Sequence, residues 1–354
     1  MSRDNDDAKI DRHLETGYEA LEMGDLATAK KSAKATLAID STVAEAHTLL
    51  GAVAEREDDL AGAILAYSAA RKADPAAFDP VIALAELEHA QGNIEKARAL
   101  FTEASDLAEE EEEFVESLLA RAEFELAEGD GHAAVTVLTE LPPVDLPEPN
   151  DHLRAGDALR QAAALIEGAE GKQALADAQK HFESARAQVK PGEDDALTAD
   201  AVYGLGLVAE ARGLKEEVDK CFSEVLRLDS KEGKPSWTLS EERMEALVDE
   251  VIGELPDRAR ELLANVPIVV ESRPTRSQVH EGLDPRSLGL FAGPAEPSTG
   301  DAPVLQQITL YTRNLERAST SVEDLEDEIR VTLLHETGHF FGLDESAMAE
   351  LGLE

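Results

Sequence analysis

A period of 34 residues constrains this chain more than any other feature. Gly24-Asp25-Leu26, Asp58-Asp59-Leu60 and Gly92-Asn93-Ile94 repeat at that interval, as do Ala29, Ala63 and Ala97, and then Ala33, Tyr67 and Phe101. Gly17, Gly51 and Ala85 share a further register, where a small residue lets two helices approach closely. A repeat of this length is one helix pair, too small to bury its own apolar face, so successive pairs must stack. Asp74-Pro75 falls where a unit ends, because proline cannot continue a helix.

Later units are less regular. Gly129-Asp130-Gly131 with Ala134 and Leu138 marks a fourth pair, displaced by the acidic run 109–113, which is expected to be a solvated helix face. Ala178, Phe182 and Ala185 suggest a fifth, and Leu205-Gly206, Gly213-Leu214, Val218, Phe222 and Val225 a sixth. The Pro-rich stretch 141–149 is expected to be an irregular connection. The pattern resembles the tetratricopeptide repeat, which implies an α-solenoid over residues 1–232 with a groove open to a protein or peptide partner.

Residues 233–239, with Gly233 and Pro235, read as a linker, and the composition then changes. Ser240 caps an amphipathic helix, and a second helical piece spans 257–263. Three short strands are expected, at 267–271, 288–291 and 307–313. The last alternates apolar and polar residues, as a half-exposed strand would. Two roles stay open for it: pairing with an extended substrate at a sheet edge, or packing in the core.

The C-terminal helix carries His335-Glu336-Thr337-Gly338-His339 followed by Gly342, the pattern H-E-x-x-H-x-x-G. Residues four apart share a helix face, so both imidazoles can meet one Zn²⁺ with Glu336 beside it, placed to take a proton from a metal-bound water. A third ligand is needed. Spacing favours Glu345, ten residues beyond the first histidine, with Asp344 the alternative.

This segment resembles the small bacterial possible zinc metallopeptidases, the minimal zincins. The likeness covers residues 246–272, 288–291, 308–317, 328–345 and the tail 349–352. It implies a small α+β domain over 240–354, with His335 and His339 as zinc ligands, Glu336 as general base, and an acidic third ligand at Glu345 or Asp344. The expected fold is mainly α, a solenoid followed by this domain. The expected function is zinc-dependent peptide hydrolysis, with the repeats recruiting substrate or partner. The alternative is a non-catalytic adaptor carrying an inactive zincin fold. Tyr311 is a candidate oxyanion stabiliser, or otherwise a buried or surface aromatic.

A net charge of −42, from 75 acidic against 33 basic residues, argues against nucleic-acid or anionic-membrane partners, both of which would be repelled. The one cysteine, Cys221, excludes an intramolecular disulfide and fits a reducing compartment. With a polar N-terminus and no apolar run of membrane-spanning length, the chain is expected to be cytoplasmic.

Overall fold

A computed structural model describes residues 2–141, 146–190, 192–293, 306–343 and 348. The protein divides into two compact units, 1–188 and 189–354.

The first unit is a run of helix pairs: α1 (Ser2–Glu22) with α2 (Leu26–Ile39), α3 (Ala44–Arg56) with α4 (Leu60–Ala73), and α5 (Asp79–Ala90) with α6 (Ile94–Leu107). Then come α7 (Glu111–Ala127) with α8 (Gly131–Leu138), and α9 (Pro149–Leu165) with α10 (Ala169–Gln188). The 34-residue period is the turn inside each pair. Its first residue adopts a left-handed backbone, with φ of 76° at Gly24, 61° at Asp58 and 76° at Gly92. Asp58 is the only non-glycine with positive φ among the described residues, and aspartate is one of the side chains that tolerate that region. The next residue caps the second helix: Asp25 accepts from Thr28 N at 3.1 Å and Asp59 from Gly62 N at 2.9 Å.

Packing explains the other registers. Ala29, Ala33, Ala63, Ala97 and Phe101 are all buried. A Cβ on Gly51 would lie 2.5 Å from the Tyr67 ring, so this position must be glycine for α3 and α4 to close. The acidic run 109–113 does more than solvate a surface. Glu110 and Glu113 form a capping box, and Glu111 to Glu113 sit on the first turn of α7, where the helix dipole favours negative charge.

Between α9 and α10, His152 Nδ1 meets His181 Nδ1 at 3.0 Å, both rings being buried. Burial, then the neighbouring His152, hold His181 near 4 against an ordinary 6.5, with Asp177 opposing and Lys180 reinforcing the shift. Because the folded value lies below the unfolded one, the unfolded chain binds the proton first as pH falls. Stability is therefore full above about 6.5 and declines toward 4. We expect the helical circular dichroism melt to shift down between about pH 7.5 and pH 5, and to shift less in His181→Phe. Equal shifts in both proteins would remove the histidine pair as the cause.

The second unit opens with another pair, α11 (Asp195–Ala211) and α12 (Lys215–Asp229). It continues through α13 (Glu241–Glu254), α14 (Asp257–Leu263), β1 (Ile268–Glu271), α15 (Arg276–His280), β2 (Gly289–Ala292), β3 (Gln307–Tyr311), α16 (Thr312–Ala318) and α17 (Val322–Phe340). Ser240 caps α13 as expected, accepting from Arg243 N at 3.2 Å. The sheet order is β1-β3-β2, with β1 parallel and β2 antiparallel to β3.

The expected half-exposed strand at 307–313 is corrected on two counts. It stops at Tyr311, and Thr312 and Arg313 begin α16. It is also the central strand, with Ile308 to Tyr311 buried, so both its edges are occupied and no substrate can pair with it. Met244, Leu247, Val251, Ile308, Leu310, Leu315, Ile329, Leu333 and Phe340 form one core between sheet and helices.

The stretch following α12 is tied down rather than loose. Arg313 donates to the carbonyls of Glu232, at 3.1 Å, and of Gly233, and bonds the Glu316 carboxylate. No described helix is long and apolar enough to cross a membrane.

Candidate metallopeptidase site

The site is built on the last two turns of α17. Ser321 caps this helix, accepting from Asp324 N at 3.1 Å. The other end is closed by a Schellman turn, in which Gly342 takes φ 79° and donates to His339 O at 3.0 Å, and Leu343 N reaches Gly338 O at 3.0 Å. Gly342 is therefore where the backbone leaves the helix, as the motif spacing implies.

His335 and His339 are half-buried on one face, with ring centroids 4.8 Å apart and planes at 83°. Glu336, between them in sequence, is only 7 % exposed. A Cβ on Gly289 would lie 2.8 Å from Glu336 Cγ and 2.8 Å from Thr332 Cγ2, so the backbone of β2 runs directly against the Glu336 side chain. A Cβ on Gly338 would fall 2.7 Å from Met348 Sδ, so the glycine inside the motif admits Met348 against the helix. Among the described residues β2 is bonded to β3 alone. The sheet edge beside Glu336 is thus β2, which sequence reasoning identified as a strand without giving it that role.

Tyr311 is fully buried, and its hydroxyl accepts from Gln278 Nε2 at 3.0 Å. Burial, then the charge of Glu271, push this phenol up to about 12, with Glu336 adding to the effect. Of its two candidate roles, this is the buried aromatic. His280, the third histidine of the C-terminal third, is turned elsewhere and pairs with Asp219 at 2.8 Å.

The two imidazoles present donors of the right kind on one face, which fits half of a zinc site. Asp344 and Glu345, the candidate third ligands, lie outside the described residues. Among the described residues no group of three or more His, Cys, Asp or Glu side chains converges as a metal cluster would.

A buried ion network holds the connection that enters β2. Arg286 bonds Asp229 at 3.0 and 3.2 Å and Asp200 at 2.8 Å, with its guanidinium 4.6 Å from the centre of the Tyr203 ring. Burial lowers the affinity of Arg286 for its proton, but the bonds and charges of Asp229 and Asp200 outweigh that and leave its pKa raised. Tyr203 also donates to Asp284 at 2.7 Å, while Asn314 donates to Pro285 O at 2.9 Å and Ser287 O at 2.7 Å. None of these residues was singled out in the sequence, where scattered Asp and Arg look like ordinary surface charge.

Comparison with known proteins bears on the site directly. Residues 263–353 match the zincin-like metallopeptidase family. The zincin-like match takes in β1, β2, β3 and α17 and covers a minor part of the chain. The solved structure of PilF from Pseudomonas aeruginosa is similar at 18% identity and a TM-score of 0.50, covering 63% of this chain and 93% of that one. PilW, a type IV pilus biogenesis factor, aligns at 14% identity and a TM-score of 0.49, covering 62% and 92%. YrrB, a TPR protein, aligns at 16% identity and 0.40, covering 56% and 93%. At 18% identity the likeness to PilF is one of fold, a tetratricopeptide-like helical solenoid. No curated protein matches the chain in sequence.

Proposed function

We propose that the protein is a zinc-dependent peptidase whose helical repeats recruit a protein substrate or partner. The observation that carries the reading is a buried Glu336 flanked by His335 and His339 and lying against β2, which among the described residues pairs with β3 alone. The zincin-like match over the same residues supports it.

His335 and His339 would hold Zn²⁺, with Glu345 or Asp344 as third ligand. Bound there, the ion would supply Lewis-acid polarisation and a bound water whose pKa falls to about 7. Glu336 accepts the proton of the attacking water and returns it to the leaving amine. Its burial keeps competing solvent from the carboxylate, and its packing on Gly289 fixes where that carboxylate points. An extended peptide pairing with the side of β2 that no described strand occupies would lie along the strand that Glu336 touches. A cytoplasmic setting, consistent with the single cysteine, belongs to the same proposal.

Purified protein is expected to carry close to one zinc per chain by elemental analysis. His335→Ala and His339→Ala should each lose most of it, because neither imidazole alone holds the ion. Unchanged zinc in both variants would end the proposal.

A further inference from the structure

We propose that the repeat stack of the first unit carries a pocket for a lysine or arginine side chain of an extended peptide, and that this is the chemistry by which it recruits its partner. The inference deepens the recruiting half of the proposal above and does not depend on hydrolysis.

The pocket is a cavity of about 310 Å³ among α5, α6 and α7. Phe101 and Phe124 give it an apolar floor, and Glu86, His89 and Glu123 stand around it. Carboxylates alone would be unremarkable on a chain of net charge −42. The combination is what selects a ligand: an apolar floor accepts the methylene stem of a long cationic side chain, and the carboxylates meet its head. A neutral aliphatic side chain would leave the Glu86 carboxylate facing no cation. An acidic one would be repelled.

The electrostatics of this face are unbalanced in the same sense. Glu86 reaches solvent, yet the surrounding helices crowd it; burial, then Glu55, Glu116 and Glu123, push its carboxyl above the usual range. Asp79 is raised too, by burial and then Glu113. Arg154 is committed to Glu116 at 2.6 Å and Glu123 at 2.9 Å, and His89 to Glu128 at 3.0 Å. Among the described residues Glu86 has no cation within ion-pair distance, and the charge of Arg154 offsets its acidic neighbours only in part, so a ligand cation would relieve a repulsion that the free protein retains.

The test uses the full chain in chelator, so that neither zinc nor turnover enters, with a fluorescein-labelled (Lys-Ser)5 peptide followed by anisotropy. Three variants separate pocket from general charge. Glu86→Gln removes the unpaired carboxylate, and Ala90→Phe fills the cavity from its exposed rim without changing charge. Asp106→Asn makes the same charge change at an exposed site on α6 that does not line the cavity.

We expect saturable binding of (Lys-Ser)5 and none of (Glu-Ser)5. Glu86→Gln and Ala90→Phe should each weaken it about tenfold, with Asp106→Asn within a factor of about two of wild type. Circular dichroism confirms folding, and Glu86→Gln should melt no lower than wild type, since it relieves repulsion. The proposal is overturned if (Lys-Ser)5 does not bind, if Glu86→Gln and Ala90→Phe bind as wild type does, or if Asp106→Asn weakens binding as much as Glu86→Gln.

Discussion

Glu336→Gln is expected to keep its zinc and to lose hydrolysis of a fluorogenic casein by about 10²–10⁴-fold, the usual cost of removing a general base. Glutamine preserves the shape of the side chain, so the contacts with Gly289 and Thr332 survive the change. It cannot accept the water's proton. The loss should therefore fall on kcat, with KM and metal content nearly unchanged. Hydrolysis at the wild-type rate would exclude Glu336 as the base, whereas no hydrolysis by the wild type itself would favour an adaptor with an inactive site. Glu345→Ala and Asp344→Ala in the same assay address the third ligand: the variant that loses more zinc marks the residue that completes the site.

Asp229→Ala is expected to destabilise the second unit by about 1.5–3 kcal/mol, the worth of its hydrogen bonds to the charged Arg286, which would keep only the more exposed Asp200 as its partner. Asp229 is 3% exposed and faces Arg286, whose side chain is 14% exposed, so neither can turn to water without moving the chain. The single tryptophan of the sequence, Trp237, packs against the core of this unit, so its fluorescence in urea follows the second unit without interference from the first. Asp229→Asn keeps a hydrogen-bond acceptor and should cost less. A loss below about 1 kcal/mol for the alanine variant would show the network to be solvated, with the worth of a surface pair.

The two predictions differ in how visible their residues are in the sequence. His335, Glu336 and His339 stand at a spacing with chemical meaning, and the periodic alanines and turn glycines place the helix pairs, because both follow from local geometry. Asp200, Asp229 and Arg286 become a cluster only when α11 and α12 meet the 284–287 turn, and no local pattern announces that. The helix α15 could have been found: Thr275 and Gln278 form a capping box, with Thr275 N donating to Gln278 Oε1 at 2.7 Å, and the T-x-x-Q spacing is written in the chain. The central strand was misread for another reason. Gln307 and Thr309 look like a solvated face, but Thr309 is buried and its hydroxyl accepts from Gln307 Nε2 at 3.0 Å, so a polar residue sits in the sheet with its need met locally.

The sheet order also bears on how the chain assembles during synthesis. Each helix pair of the first unit packs on its neighbours in the chain, so the stack can form as successive pairs leave the ribosome. The sheet cannot. Ile268 must wait for Ile308, and Gly289 for Leu310, so β1 and β2 emerge as lone strands until the strand between them exists. The helix bearing Glu336 follows later still. The nascent chain thus completes its repeat stack well before the proposed cutting centre can form, and a chain interrupted before β3 is expected to bind without cleaving.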